Sequence, residues 1–296
     1  MSIFLTGASG FVGRNLIAFF AETRTITKYQ RNSSIIIKEK IVVHVAGKAH
    51  DLKKTASNNL YYEVNTELTK AIYNKFLNSK AEVFIFLSSV KAIADSVNGT
   101  LTENCSPYPR THYGKSKLLA EQYIFSRKIP ESKRVYILRP CMIHGPNNRG
   151  NLNLLYTLVT NRIPWLLGFY ENKRSYCSID NLLFVINELI INKNIPNGIY
   201  NVADDLPLST NEVVCLISKS VKTKPMIWNI SKFYIKLIAK IGDTIPLPLN
   251  SERLKKLTES YVVSNEKIKK AMGKPLPVQS IDGMLSTFES FQIDNK

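Results

Sequence analysis

Few cysteines and no long apolar run characterise this chain of 296 residues. Its four cysteines are widely spaced and form no Cys-x-x-Cys pair, which argues against both a disulfide framework and a metal site. We therefore expect a reducing, cytoplasmic location. The apolar start contains glycines and lacks a basic region, unlike a signal peptide. The most apolar late stretch, Phe233 to Leu249, is interrupted by charges and falls short of the roughly 20 apolar residues of a membrane span.

Acidic residues are also scarce, with 23 against 40 lysines and arginines, for a net charge of +17. Such a charge attracts anionic partners such as a nucleotide, a membrane surface or a nucleic acid. No block of consecutive basic residues forms an arm for DNA or RNA, so we predict no nucleic-acid binding. In Ser231 to Lys240, lysines interrupt apolar residues at helical spacing. Two interpretations remain open there: an ordinary packed helix and a basic helix lying on a membrane.

Apolar residues make up 44% of the chain, enough to bury a full core. Short β-type runs alternate with helical patterns, and this order predicts an α/β protein with a parallel, doubly wound sheet. The predicted strands are Ser2 to Thr6, Thr25 to Tyr29, Ile41 to Val45, Val83 to Leu87, Val135 to Leu138 and Ile199 to Val202. The predicted helices between them are Phe11 to Phe20, Tyr62 to Leu77 and Tyr113 to Phe125.

Three glycines follow the first strand at three-residue intervals, in the order Gly7, Gly10 and Gly13. The first permits a tight turn, the second lets the backbone approach a pyrophosphate, and the third lets the helix pack on the strand. The helix then begins at Phe11 and Val12, where its amide-rich terminus would hold phosphates. This arrangement predicts a Rossmann-type site for a dinucleotide, NAD or NADP.

The region after the second strand lacks the acidic residue that usually binds the ribose hydroxyls of NAD. Arg31 stands there instead and suits the additional phosphate of NADP, so NADP is slightly favoured over NAD; the alternative is that Arg31 is a solvated loop charge. Only about ten residues separate this strand from Ile41, close to the minimum for a crossover. We therefore predict that a helix and a strand usual in this fold are absent or vestigial, which leaves the adenine end of the cofactor exposed.

A second pattern combines Ser89, at the end of a strand, with Tyr113 and Lys117. Residues four apart share one helix face, so the Lys117 ammonium could lower the pKa of the Tyr113 phenol and make it a general acid or base. The Ser89 hydroxyl would bind the substrate oxygen whose proton moves together with a hydride. A Tyr-x-x-x-Lys pair alone is common on helix surfaces, but its position behind the glycine turn favours catalysis.

Together, the glycine turn and the triad resemble the extended short-chain dehydrogenase/reductases, in particular the NAD(P)-dependent nucleotide-sugar epimerases, dehydratases and 4-ketoreductases. The likeness covers nearly the whole chain. It implies a dinucleotide domain formed by residues 1–145 and 177–203, and a smaller, mostly helical substrate domain formed by residues 146–176 and 204–296. It also implies a cytoplasmic enzyme, with a homodimer left open.

The resemblance extends to further segments, which imply further site residues. H-V-A-G contributes Ala46 and Gly47 to the cofactor site, V-N-T-E-L-T contributes Asn65, and Cys141 follows the L-R-P strand. R-G-N-L-N-L-L from Arg149 and N-K-R-S-Y-C-S-I-D-N-L from Asn172 are similar to bacterial surface-polysaccharide enzymes acting at C4 of N-acetylated hexoses on UDP or a lipid diphosphate. That analogy places the following residues against the substrate: Asn151 and Leu152 at the nucleotide, Arg174 and Arg253 at the diphosphate.

The residues after Ser89 separate the reactions of this family. A 4,6-dehydratase has an Asp-Glu pair there, whereas this chain has Val90 and Lys91, so we predict no dehydration. C4 epimerisation and NADPH-dependent 4-keto reduction both remain open: the family resemblance supports the epimerase, and the shortened adenine side supports the reductase. A non-catalytic dinucleotide sensor would not need the triad, and a reductase of lipid or steroid-like carbonyls would not need the two arginines.

Overall fold

The chain folds into alternating strands and helices that leave a helical region near its end. In the computed structural model, the described residues are 1–48, 57–148, 150–245 and 249–293, with the side chains of Asn151 and Ile293 left out. The first elements are β1 (Ile3–Thr6), α1 (Phe11–Phe20), β2 (Ile26–Lys28), β3 (Ile41–His44), α2 (Asn58–Tyr62), a π-helical segment (Glu63–Glu67), α3 (Leu68–Leu77), β4 (Val83–Leu87), a 3₁₀ turn (Val90–Ala92), β5 (Thr100–Leu101), α4 (His112–Ser126), β6 (Arg134–Pro140) and β7 (Met142–His144).

The later elements are mostly helices. They are α5 (Asn151–Thr160), β8 (Tyr176–Ser178), α6 (Ile179–Ile191), β9 (Gly198–Val202), α7 (Thr210–Ser220), α8 (Lys232–Ile241), α9 (Ser251–Thr258), β10 (Val262–Val263), α10 (Glu266–Met272) and α11 (Ser280–Ile293). No helix among the described residues is long and apolar enough to cross a membrane.

Six parallel strands form the main sheet in the order β2-β1-β3-β4-β6-β9. Alternate side chains point to opposite faces of a strand, and both faces are covered by helices here. Ile3 and Leu5 pack with α1, α6 and α10, whereas Phe4 packs with α3 and α4. The α/β class and the parallel sheet predicted from the sequence are confirmed.

The sheet ends at β2, which pairs with β1 alone. Within the described part of the chain, residues 29–40 between β2 and β3 contain no helix and no further strand. The chain passes directly from the sheet edge to β3 on the other side of β1, where Ile41 pairs with Ile3. The predicted shortening between the second strand and Ile41 is therefore confirmed, because residues 29–40 supply no strand to pair with the outer edge of β2.

The helices of the later part form two apolar clusters of their own. One joins α5, α7 and α11 around Tyr156, Val213 and Phe288. The other joins α7, α8 and α9 around Trp165, with Ile235 and Leu254 against it. These clusters hold together the residues that follow the carboxyl end of β6.

Candidate active site

The glycine loop is closed too tightly for side chains. Gly7 has a φ of +74°, and a Cβ there would lie 2.6 Å from the Ala46 backbone nitrogen. A Cβ on Gly13 would run into the Gly7 carbonyl oxygen. The Gly10 amide donates to that oxygen at 3.0 Å and starts α1, whose first turn carries no acidic residue. A helix terminus without acid, behind a loop of this shape, fits a dinucleotide pyrophosphate.

A buried histidine fastens the strand ends beneath this loop. His44 Nδ1 and the Thr6 hydroxyl are 2.5 Å apart, and His44 Nε2 lies 2.8 Å from the Thr69 hydroxyl. The Ala46 amide also donates to Thr6 Oγ1. Burial, helped by the charge of Lys117, lowers the pKa of His44 to about 3, so this ring is neutral near neutral pH. The bridge joins β1, β3 and α3 and so holds Ala46 against the glycines.

Gly47 leaves space beside two predicted site residues. A Cβ there would lie 3.0 Å from Lys117 Nζ and 3.1 Å from Asn65 Oδ1. Asn65 is buried in the π-helical segment, accepts from the Lys48 amide at 2.8 Å and donates to the Ser116 hydroxyl at 3.0 Å. Such single-turn π-segments are frequent at functional sites. Gly47, Asn65 and Lys117 thus converge on one space that a side chain would fill, which fits the ring end of a dinucleotide.

The structure brings Ser89, Tyr113 and Lys117 together at the carboxyl end of β4. Ser89 begins the 3₁₀ turn, and its hydroxyl is hydrogen-bonded to Tyr113. Tyr113 lies in the first turn of α4, which Thr111 caps. Lys117 follows one turn later and donates from Nζ to the Leu87 carbonyl oxygen at 2.8 Å. Their catalytic roles stay a prediction that this proximity supports.

The triad lies in a buried environment that shifts two pKa values. Burial raises the pKa of Tyr113, and the hydrogen bond with Ser89 only partly opposes that rise. The Lys117 ammonium donates to the Leu87 carbonyl oxygen, and its predicted lowering of the Tyr113 pKa stays a prediction. Burial also lowers the pKa of Lys117 to about 8, although the charge of Glu121 raises it. The lysine therefore lies close to its charged-to-neutral transition near physiological pH.

A buried ion pair behind the triad escaped the sequence analysis. Glu121, one turn beyond Lys117, accepts from Arg139 Nη2 at 2.5 Å and from Arg139 Nε at 3.0 Å. The Ser88 hydroxyl also donates to Glu121. Arg139, the arginine of the L-R-P segment, is thus engaged in the core. The charge pattern of α4 could have suggested it, since Glu121 is an acid on the buried face of the helix.

On the substrate side, Lys91 is a second residue that the sequence analysis did not assign. Its Nζ donates to the Asp95 carbonyl oxygen at 2.8 Å and lies 4.2 Å from the centre of the Tyr261 ring. Burial lowers the pKa of Lys91, and the charge of Arg174 lowers it further. Arg174 Nε donates to the Glu259 carbonyl oxygen at 3.1 Å. A second cation, Arg174, therefore acts on Lys91, which stands two residues after Ser89.

The remaining predicted substrate residues are placed less favourably. The side chain of Leu152 is buried in the cluster of α5, α7 and α11, so a contact with a nucleotide would come from its backbone, and this role stays a prediction. Arg253 is exposed in the first turn of α9, where Asn250 caps the helix. Asn151 begins α5, but its side chain and the whole of Arg149 lie outside the described residues.

Four predicted cofactor residues lie at the margins of the site. Phe11 and Val12 are half-buried in the first turn of α1, and the ring of Phe11 would lie 3.3 Å from a Cβ on Gly145. Arg31 is exposed in the turn after β2. Cys141 is buried, and its thiol donates to the Val202 carbonyl oxygen at 3.3 Å, so the side chain packs in the core.

Comparison with known proteins gives consistent relatives. Residues 3–203 match the model of the NAD dependent epimerase/dehydratase family. UDP-glucose 4-epimerase of Vibrio cholerae is 29% identical, covering 100% of this chain and 97% of the relative. N-acetyl-alpha-D-glucosaminyl-diphospho-ditrans,octacis-undecaprenol 4-epimerase of Escherichia coli O157:H7 is 28% identical, covering 75% and 73%. UDP-glucuronic acid 4-epimerase from Bacillus cereus, solved in complex with NAD, superposes with a TM-score of 0.78 at 16% identity, covering 100% of both chains.

Proposed function

The chain belongs to the NAD dependent epimerase/dehydratase family, and from that premise we propose that it epimerises C4 of a UDP-linked hexosamine or N-acetylhexosamine. The observation that supports the proposal best is the cluster of Ser89, Tyr113 and Lys117 beside the glycine loop. The two curated relatives described above are both 4-epimerases by name. Neither establishes the sugar or its carrier for this chain, so a lipid diphosphate remains a second candidate carrier.

In the proposed reaction, Tyr113 moves the proton at the C4 oxygen and Ser89 holds that oxygen by a hydrogen bond. Lys117 donates from Nζ to the Leu87 carbonyl oxygen and so holds a fixed position next to Gly47. A nicotinamide ring bound there supplies a reversible hydride acceptor for C4. Because epimerisation inverts C4, the site would also have to let the sugar turn over before Tyr113 returns the proton to the C4 oxygen.

We assign the diphosphate of the substrate to the cations near Ser89. The charge of Arg174 acts on Lys91, and two neighbouring cations of this kind are favourable when an anion lies between them. Val90 and Lys91 stand where a 4,6-dehydratase has its Asp-Glu pair, so the proposed reaction includes no elimination of water. We further propose that residues 146–176 and 204–296 form the substrate domain, while residues 1–145 and 177–203 hold the dinucleotide.

One observation favours a second candidate, an NADPH-dependent reductase of a UDP-4-keto-6-deoxy-N-acetylhexosamine. Because β2 is the edge strand of the sheet and residues 29–40 form no crossover helix, the described residues offer little to retain the adenosine half of a dinucleotide. An epimerase keeps its cofactor through many turnovers, whereas a reductase must exchange it. Arg31, exposed beside this edge, supports NADP over NAD.

Product analysis distinguishes the two candidates. Purified protein is incubated with UDP-N-acetylglucosamine and catalytic NAD, and separately with the 4-keto-6-deoxy sugar and NADPH, while nicotinamide absorbance and sugar products are followed. Interconversion of the C4 epimers without net change in absorbance supports the epimerase. Stoichiometric loss of NADPH supports the reductase, and no turnover of either sugar contradicts both.

A matched pair of variants links any activity to this site. Lys117→Met removes the buried ammonium next to Gly47, and we expect it to abolish turnover. Lys115→Met changes an exposed lysine of the same helix and should leave turnover intact. Equal activity in both variants would show that the chemistry takes place elsewhere.

A further inference from the structure

Exposed apolar side chains concentrate in one short segment of the molecule. Of the 21 large hydrophobic residues that are exposed in the described structure, eight lie between residues 226 and 245. Single exposed apolar residues need no explanation, but a contiguous group marks a surface that meets something. The eight are Met226, Trp228, Phe233, Tyr234, Leu237, Ile238, Ile241 and Ile245.

Helix α8 carries most of this group on the side turned away from the protein. Ile235 and Ala239 are buried against the cluster around Trp165. At 3.6 residues per turn, the opposite side of the helix presents five apolar residues. These residues, called here the outer face of α8, are Phe233, Tyr234, Leu237, Ile238 and Ile241, with exposed fractions of 70%, 60%, 48%, 41% and 44%.

Lysines border the outer face on one flank. Lys232, Lys236 and Lys240 recur every four residues and therefore line up along the helix. Residues 219–245 contain six lysines and a single acidic residue, Asp243. An apolar face flanked by cations matches a surface that has an apolar interior beneath anionic groups, and an anionic lipid bilayer is such a surface.

A second copy of the chain fits this face less well. In a two-fold contact the same patch lies on both partners, so the two rows of lysines would approach each other with one acidic residue per segment to compensate. A nucleic acid would meet the lysines but would gain nothing from five exposed apolar side chains. Charge and apolarity together favour the bilayer.

We propose that the outer face of α8, with its flanking lysines, docks the protein on the surface of an anionic membrane. The helix would lie in the plane of the interface, its apolar side chains inserted and its lysines at the headgroups. Because α8 packs against α9, and α9 carries Lys256, whose charge acts on Lys91, the docked face adjoins the side of the molecule that contains the candidate substrate cations. The proposal stands independently of which sugar is turned over.

Vesicle flotation of the full chain tests the docking. We expect the protein to float with vesicles of phosphatidylcholine containing phosphatidylglycerol, and to float far less with phosphatidylcholine alone or at high salt. Leu237→Ser with Ile241→Ser should reduce binding to anionic vesicles at least about tenfold. The matched control is Ile191→Ser with Ile281→Ser, which removes two isoleucines of 50% and 43% exposure on other helices and should bind like the wild type.

Lysine variants and an intrinsic fluorophore refine the test. Replacing Lys232, Lys236 and Lys240 by glutamine should weaken binding to anionic vesicles by about fivefold per lysine. Trp228 is 51% exposed next to α8, whereas Trp165 is 6% exposed. Emission should therefore shift to the blue on vesicles, and Trp228→Phe should abolish the shift.

Turnover of a soluble substrate should be the same in the α8 variants and in the wild type, because none of these residues belongs to the candidate site. Three results would overturn the proposal: no flotation of the wild type, equal flotation of the Leu237/Ile241 variant and its control, or a dimer in solution that the Leu237/Ile241 variant dissociates. A failed assay of sugar turnover would leave the flotation result standing, so the two proposals fail separately.

Discussion

The two halves of the proposed cofactor cleft are built very differently. The nicotinamide half comprises the ends of β3 and β4 with Gly47, Asn65, Tyr113 and Lys117, and it rests on strands whose residues are all buried. The adenine half comprises β2 and residues 29–40, and β2 has two exposed residues and one half-buried residue. The dense packing lies under the groups proposed to react, and the part proposed to hold the adenine end of the cofactor is short and exposed.

The most direct test of this difference removes the phenol oxygen of Tyr113 from the nicotinamide half. Tyr113→Phe should lower the turnover rate by about a thousandfold, since general acid–base groups contribute roughly 10² to 10⁴, while dinucleotide binding persists. Tyr123→Phe is the control on the same helix, where the hydroxyl donates to Asn74 Oδ1 at 2.8 Å. Unchanged turnover, or an unchanged cellular phenotype, in Tyr113→Phe would favour a non-catalytic dinucleotide-binding role.

The packing behind the nicotinamide half should be costly to disturb. Glu121→Ala leaves Arg139 buried without its partner, and we expect the free energy of unfolding to fall by about 3 to 5 kcal/mol. Glu82→Ala breaks the Lys40–Glu82 pair, whose side chains are 54% and 50% exposed, and should change stability by less than about 1 kcal/mol. Urea unfolding measures both. A similar fall in the free energy of unfolding in both variants would mean that the buried Glu121–Arg139 pair does not stabilise this region.

A smaller effect, dependent on pH, comes from His44. Its pKa of about 3 in the folded chain lies below the 6.5 of a free histidine, so the unfolded chain binds the additional proton between these values. The stabilisation is complete above pH 6.5 and is lost as the pH falls toward 3, at about 1.4 kcal/mol per pH unit. His44→Gln should flatten the dependence of the unfolding free energy between pH 6.5 and 4.5.

Should His44→Gln fail to fold, the wild-type protein still provides the measurement. In the NMR spectrum of the folded protein, the ring resonances of His44 should be those of a neutral imidazole at every pH above about 4. A midpoint near 6.5 would contradict the buried bridge between Thr6 and Thr69.

The smallest effect is expected in the adenine half. Arg31→Glu should weaken NADPH binding about tenfold, which corresponds to about 1.4 kcal/mol, and leave NADH binding nearly unchanged, because only NADPH carries the additional phosphate. Lys38→Glu introduces the same charge change elsewhere in residues 29–40 and serves as the control. Equal losses in both variants would indicate a general electrostatic effect, and no loss in either would remove Arg31 from the cofactor site.

Much of the framework was predictable from local patterns. The helix predicted from Phe11 to Phe20 and the strand from Val83 to Leu87 coincide with α1 and β4. The shortened connection before Ile41 followed from counting residues, because a crossover needs a minimum length of chain. Such features depend on neighbours in sequence, where periodicity and glycine carry the signal.

The substrate side was much less accessible to such reasoning. Leu152 was assigned to the nucleotide by resemblance, yet its side chain belongs to a core cluster. In the sequence analysis, Lys91 mattered only because it stands where a 4,6-dehydratase has an acidic residue. Its contact with Tyr261 joins two residues that are far apart in the sequence. Pairings of this kind depend on how helices pack, which no local pattern encodes.

The sequence by itself determined the parallel α/β sheet, the glycine loop and the proximity of Tyr113 to Lys117, since each follows from strand or helix geometry over a few residues. Only the tertiary structure decided the electrostatics. It showed that burial raises the pKa of Tyr113 and lowers that of Lys117, because desolvation depends on everything packed around a group. It also decided which apolar side of α8 is covered by the protein and which is left exposed, a choice that helical periodicity alone cannot make.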